Sequence, residues 1–218
     1  MKIHGVDDAI VIETGQRPSA AVIWLHGLGA DGHDFEPVVP ELRLEAPVRF
    51  VFPHAPVRAV TINNGMRMRA WYDIFQFGGG AEDDKGIRES QARLEELIEE
   101  QPVPHGRIVL AGFSQGGAIV LQTALRQKER VAGVMALSTY LPLAPTVGKE
   151  KTEASLQTPI FMAHGQFDDL IPLQRAQRSK EFLEQSGYRI EWHEYPMPHS
   201  VCAEELAHIS AFLRKVLG

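Results

Sequence analysis

Gly112, Ser114 and Gly116 stand in G-x-S-x-G spacing within "AGFSQGG". A serine hydroxyl is a weak nucleophile until a base takes its proton, and the base in turn needs a third group to orient it. The spacing suits a sharp strand-to-helix turn, where small neighbours let the backbone close while the hydroxyl stays exposed. The surroundings fit, because "RIVLA" precedes the serine as a buried-strand pattern and "AIVLQTALRQ" follows it as a helical one. A phosphate loop is the competing reading, but neither the Lys of a P-loop nor G-x-G-x-x-G spacing is present here. The chemistry implied is nucleophilic attack on an acyl carbon.

On such a scaffold the chain order is nucleophile, acid, histidine. Of the nine histidines, His164, His193, His199 and His208 follow Ser114. His193 falls inside a strand pattern and His208 on the terminal helical pattern, where structural roles are expected. His164 follows a strand directly, which suits a packing role. His199, in "YPMPHSV", lies between the last strand and the last helix and is the expected base, since loops at the carboxyl ends of strands build the sites of α/β sheets. "HGQFDDLIP" offers Asp168 and Asp169 as the acid, and spacing alone leaves that choice open. Pro172 points to a helix starting at 172 or later, so both aspartates are early for a cap. An oxyanion hole needs backbone N–H groups, here those of Gln115 and of Leu28 in "WLHGLGADG", where His26, Gly27 and Gly29 allow a close turn.

The elements that must position these groups alternate along the chain. Short β-rich runs occur at 20–25, 48–53, 107–113, 131–138, 159–165 and 189–195, apolar on both faces as parallel strands covered by helices would be. "IRESQARLEELIEEQ" and "EELAHISAFLRKVL" carry apolar stripes at helical spacing. The expected fold is α/β, a three-layer sandwich around a mostly parallel sheet, in one domain over residues 1–218 without a large lid. Stretches of roughly 53–85 and 139–158 read as long irregular loops, which are often functional.

With 218 residues, 44% of them hydrophobic, the chain can bury a sizeable core. The net charge of −6 is spread without a basic aromatic stripe, which argues against nucleic acid as a partner. No apolar stretch has signal-peptide or membrane-spanning length, so the expected location is cytoplasmic, with no integral membrane segment. The single cysteine, Cys202, excludes an internal disulfide, fits a reducing compartment and reads as a small buried hydrophobe rather than a nucleophile.

Taken in order, "WLHGLGADGHDF", "FPHAPVRAVTINNGMRMRAWYDI", "GFSQGGA", "LSTYLPL", "HGQFDDLIP" and "YPMPHSV" resemble the acyl-protein thioesterase and bacterial carboxylesterase family, the cap-less branch of the α/β-hydrolases, over nearly the whole chain. The resemblance implies Ser114 as nucleophile, Asp168 as acid, His199 as base, and Leu28 and Gln115 as oxyanion donors, with no metal and no cofactor. Two positions depart from the family pattern. Pro198 precedes the base where Gly or another residue is frequent, and is expected to leave it in place while stiffening its loop. Arg69 stands where Pro is frequent, and bears on the shape of the acyl site.

An acyl pocket open to solvent needs apolar walls from loops, for which the candidates are Leu28, Ile62, Met66, Met68, Trp71, Phe75, Tyr140 and Leu141. Arg67 and Arg69 are candidate contacts for an anionic leaving group, with solvated surface charge as the plainer reading. Three functions are weighed. A carboxylesterase would act on short- to medium-chain esters, a thioesterase or lysophospholipase would remove long acyl chains from proteins or lipids, and a binding protein would keep the scaffold without catalysis. A homodimer through exposed apolar loops is compatible with any of them.

Overall fold

A computed structural model describes residues 2–6, 9–76 and 80–218. The described strands are β1 (Lys2–Val6), β2 (Ala9–Glu13), β3 (Ala20–Leu25), β4 (Val48–Pro53), β5 (Val57–Val60), β6 (Met66–Arg69), β7 (Ile108–Phe113), β8 (Gly133–Leu137), β9 (Ile160–Gly165) and β10 (Ile190–Tyr195). The α-helices are α1 (Asp84–Glu99), α2 (Gln115–Ala124), α3 (Val147–Glu150), α4 (Leu173–Gln185) and α5 (Ala203–Leu217).

Eight strands form one sheet in the order β1-β2-β4-β3-β7-β8-β9-β10. It is parallel from β4 to β10, and β2 pairs antiparallel with both β1 and β4. The central strands show why both faces must be covered. In β3, Ala21, Ile23 and Leu25 join one core with Leu94 of α1, Ile119 of α2 and Leu183 of α4. Ala20, Val22 and Trp24 of the same strand join a second core with Leu42 and with Phe212 and Leu213 of α5. Alternating side chains of one strand therefore face two helix layers. Because β3, β7, β8, β9 and β10 run parallel, the turns at their carboxyl ends emerge on one edge of the sheet. Those turns hold Leu28, Ser114, Tyr140, Asp168 and His199.

Two readings of the sequence are corrected. The stretch at 53–85 is not irregular throughout, since β5 and β6 pair as an antiparallel hairpin with Val57 opposite Arg69 and Val60 opposite Met66. Its strands are short and largely solvent-facing, so "VRAV" and "MRMR" give no clean alternation. Helix α1 starts at Asp84, before its apolar stripe begins at Ile87, because the Asp83 carboxylate accepts the Gly86 N–H at 3.0 Å and caps the first turn. Residues 139–158 hold only short 3-10 turns and α3. No helix among the described residues is long and apolar enough to cross a membrane.

Candidate functional site

Ser114 sits between β7 and α2 at φ 55°, ψ −118°, a backbone conformation that costs a non-glycine residue about 1–3 kcal/mol. The surroundings over-determine it. The Ser114 N–H donates to the Leu137 carbonyl at 2.8 Å, and the Thr139 hydroxyl donates to the Ser114 carbonyl at 2.6 Å. The flanking glycines are steric necessities, for a Cβ on Gly112 would lie 2.4 Å from Gly116 backbone and one on Gly116 would lie 2.4 Å from the Leu25 carbonyl. Helix α2 begins at Gln115, so the positive end of its dipole lies at the serine.

His199 and Asp168 come from the turns after β10 and β9. Backbone bonds tie these turns together, with Gln166 N–H on the Tyr195 carbonyl at 2.8 Å and Phe167 N–H on the Met197 carbonyl at 3.1 Å. Gly165 permits the contact, since a Cβ there would meet the carbonyls of Met197 and Pro198 at 2.4 Å. Across it, His199 Nδ1 lies 2.6 Å from Asp168 Oδ2. The other carboxylate oxygen, Oδ1, accepts the N–H groups of Leu170 at 3.0 Å and Ile171 at 2.8 Å. Burial works to raise the Asp168 carboxyl, but the bonds from His199 and Ile171 outweigh it and hold the group below the usual carboxylate range. An ionised carboxylate can only accept, so Nδ1 carries a proton, and in the neutral imidazole this leaves the lone pair on Nε2. The imidazole packs on Phe113, centroid to centroid 4.7 Å. Asp169 is exposed. His164 is buried, donates to the Ile171 carbonyl at 2.7 Å and stands 3.4 Å from Asp168, which is a packing role. His208 meets the Tyr195 hydroxyl at 2.8 Å, and His193 stacks between Phe161 and His208.

Ser114 and His199 line one cleft of about 230 Å³, together with Leu28 and Gln115. Gly27 brings the turn after β3 against the serine, because a Cβ there would lie 3.5 Å from Ser114 Cβ. His26 anchors that turn. Its Nε2 accepts the Ala55 N–H at 3.0 Å, which leaves Nδ1–H to donate to the Gly27 carbonyl at 2.7 Å. Burial pushes His26 down to about 4, against the opposing pull of Gly27, so the ring is neutral at pH 7. The Gln115 side chain is a brace that sequence reasoning missed, having considered only its main chain. Its Oε1 accepts the Trp71 N–H at 2.8 Å and its Nε2 donates to the Tyr72 carbonyl at 2.6 Å.

Residues 6–217 match the family model described as phospholipase/carboxylesterase. The chain belongs to the phospholipase/carboxylesterase family. Acyl-protein thioesterase 1 of Gibberella zeae is 40% identical over 224 residues, covering 95% of each chain. Among solved structures, SOBER1 of Arabidopsis thaliana superposes with a TM-score of 0.85 at 28% identity, covering 91% of this chain and 99% of its own. Zea mays acyl-protein thioesterase 2 gives 0.86 at 25% identity, over 96% and 99%. As a member of this phospholipase/carboxylesterase family the protein is a hydrolase, and its sheet and helix layers are those of the α/β-hydrolase fold.

Within this phospholipase/carboxylesterase the walls of the cleft differ from the sequence expectation. Of the eight candidates only Leu28 and Tyr140 line it. Trp71 is buried, and its indole N–H donates to the His26 carbonyl at 2.9 Å, so it braces the turn after β3 instead. Leu141 is in the core under α4, where its N–H meets Ser179 Oγ at 2.9 Å. Ile62 is pinned by its N–H to the Ile74 carbonyl, Met68 lies against Asn63, and Met66 is 65% exposed at the hairpin tip. Phe75 lies in an adjoining groove past Tyr72. The apolar walls are instead Ile74, Phe113, Leu170 and Ile171. Arg69 turns away to the Ala55 carbonyl at 2.8 Å, and its own carbonyl accepts the Gly29 N–H at 2.9 Å. Arg67 is spent on the Val57 carbonyl.

The helix that follows His199 carries a buried acid. Glu205, third in α5, is 0% exposed, and burial pushes its carboxyl up to about 8 against the pull of the Cys202 N–H. Between about 4.5 and 8 the folded state holds a proton that the unfolded chain has released, so stability falls as pH rises through that window. His26 acts oppositely, costing stability as pH falls from about 6.5 to 4. Glu205→Gln is therefore expected to raise the melting temperature more at pH 8 than at pH 5, with the gain in unfolding free energy differing between the two by on the order of 4 kcal/mol at most. Calorimetric melts at the two pH values check this, and equal shifts at both would remove the buried acid from the explanation.

Proposed function

We propose that this family member is a carboxylesterase that cleaves short- to medium-chain acyl esters through an acyl-enzyme on Ser114, working as one domain over residues 1–218 in the cytoplasm. The observation that carries the reading is the 2.6 Å contact of His199 Nδ1 with Asp168, made by an imidazole that lines the same cleft as Ser114. His199 Nε2 takes the Ser114 proton as Oγ attacks the carbonyl carbon. Asp168 holds the tautomer and stabilises the imidazolium, while the N–H groups of Leu28 and Gln115, at the start of α2, receive the oxyanion. The C–O bond to the leaving alcohol then breaks, and His199 returns the proton to that oxygen. Water, deprotonated by the same imidazole, releases the acid and restores Ser114. No metal or organic cofactor enters the scheme.

The chain-length preference rests on size, since about 230 Å³ is below the roughly 300–1,000 Å³ of sites for drug-sized ligands. A second reading, thioester cleavage on acylated proteins, draws support from the name of the 40% identical relative, and it replaces the alcohol by a thiol in the same steps. The test is titration with a fluorophosphonate mapped by peptide mass spectrometry, beside p-nitrophenyl esters from acetate to palmitate. Stoichiometric label on Ser114 with an optimum at acetate to hexanoate is expected. An optimum at palmitate would favour deacylation of proteins or lipids, and folded protein that takes no label would sink the mechanism.

A further inference from the structure

Arg175 lies in the first turn of α4, and its guanidinium carbon is 3.4 Å from the centroid of the Tyr140 ring. Both residues line the cleft that holds Ser114. Tyr140 is itself fixed by a 2.9 Å bond between its hydroxyl and that of Tyr72. Stacking occupies a face of the guanidinium and one N–H is drawn to Tyr140, whereas its other N–H donors lie in its plane. Arg175 forms no ion pair with an Asp or Glu among the described residues. Glu82, which also acts on Tyr140, is engaged by the Leu143 N–H at 3.0 Å. A cation in a substrate cleft without an acidic partner of its own is a group for a ligand to meet.

We propose that Arg175 makes this cleft selective for esters that carry a carboxylate a few atoms from the scissile carbonyl. The inference rests on the esterase reading and names its substrate class. A guanidinium presents two parallel N–H groups to a planar carboxylate, a match that a neutral wall lacks. Leu170, Ile171 and Ile74 supply apolar surface for the intervening carbons. The arrangement across the sheet suits it, because Tyr140 and Arg175 follow β8 and β9 on one side of the Ser114 strand. The cleft's acid, Asp34, follows β3 on the other side. The chain's net charge of −6 repels anions at a distance, so the preference arises from local contact. The carboxylate can sit on the acyl chain, as in a half-ester of a dicarboxylic acid, or on the leaving alcohol, as in an acylated hydroxy acid.

The experiment compares matched anionic and neutral esters on the wild type, Arg175→Gln and Arg175→Lys. p-Nitrophenyl hemiglutarate against p-nitrophenyl valerate places the charge on the acyl chain, and O-acetylglycolate against O-acetylglycolamide places it on the leaving group. The expected result is an anionic-to-neutral ratio of kcat/KM above one for one pair, which identifies the source. That ratio should fall roughly 10- to 100-fold in Arg175→Gln, through KM, and recover in part in Arg175→Lys. A merely structural role would slow both members of a pair together and leave the ratio unmoved. A wild-type ratio of one or less for both pairs, or a ratio unmoved in Arg175→Gln while neutral esters turn over, overturns this inference alone. No turnover of any ester and no phosphonate label on the folded wild type would overturn the esterase reading and this inference with it.

Discussion

Ser114→Ala is expected to lower kcat for a short-chain p-nitrophenyl ester by roughly 10⁴- to 10⁶-fold and to abolish phosphonate labelling, with the melting temperature unchanged. The scale follows from the proposed mechanism, in which the base and the oxyanion donors cannot act without the nucleophile. The unchanged stability follows from the backbone. Ala keeps the Cβ and therefore the strain of φ 55°, which the bonds to Leu137 and Thr139 impose on whatever residue stands there. Ser114→Gly separates the two effects. It is equally inactive, yet glycine accepts this conformation freely, so the variant gains about 1 kcal/mol, or about 2–4 °C for a chain of this size. Activity of Ser114→Ala within tenfold of wild type would place the nucleophile elsewhere. A Ser114→Gly variant no more stable than Ser114→Ala would mean that the hinge is relaxed.

What the sequence disclosed follows burial. The central strands are apolar on both faces because each sits between two helix layers, and "AAVIWL" is legible because all of Ala20–Leu25 is buried. The β5–β6 hairpin was illegible because its strands are four residues each and mostly solvent-facing, so packing imposes no period on them. The same distinction runs through the site. Glycine spacing and chain order single out Ser114 and His199, which the structure places on one cleft, and the choice between Asp168 and Asp169 comes only through the family resemblance. In the structure the backbone N–H groups of Leu170 and Ile171 hold Asp168, while Asp169 faces solvent. The cleft walls were largely unreadable, because residue type does not tell which way a loop side chain faces. Trp71 was expected on the wall, yet its indole N–H finds the His26 carbonyl inside the core. Arg175 was overlooked for the converse reason, since a charge on an amphipathic helix reads as solvated until a ring such as Tyr140 is found beneath it.

Asp168→Asn is expected to lower kcat about 10⁴-fold with the fold intact, while Asp169→Asn stays within about twofold of wild type. The argument is one of donors and acceptors. An amide has one acceptor oxygen, and two backbone N–H groups, of Leu170 and Ile171, already claim the Oδ1 position. The amide oxygen must stay there, which turns the NH₂ toward His199, where Oδ2 now stands 2.6 Å from Nδ1. A donor facing that nitrogen forces the imidazole into its other tautomer, with the proton on Nε2. The nitrogen that should take the Ser114 proton is then itself a donor, and no base remains within reach. His164 reinforces this, because its Nε2–H, bound to the Ile171 carbonyl, stands 3.4 Å from the same carboxylate oxygen and offers the amide no acceptor. Kinetics of the two variants check the reasoning, with melts as the control for folding. A loss of less than tenfold in Asp168→Asn would mean that the imidazole is oriented by its packing on Phe113 rather than by the carboxylate, and the 2.6 Å contact would lose its role in the mechanism.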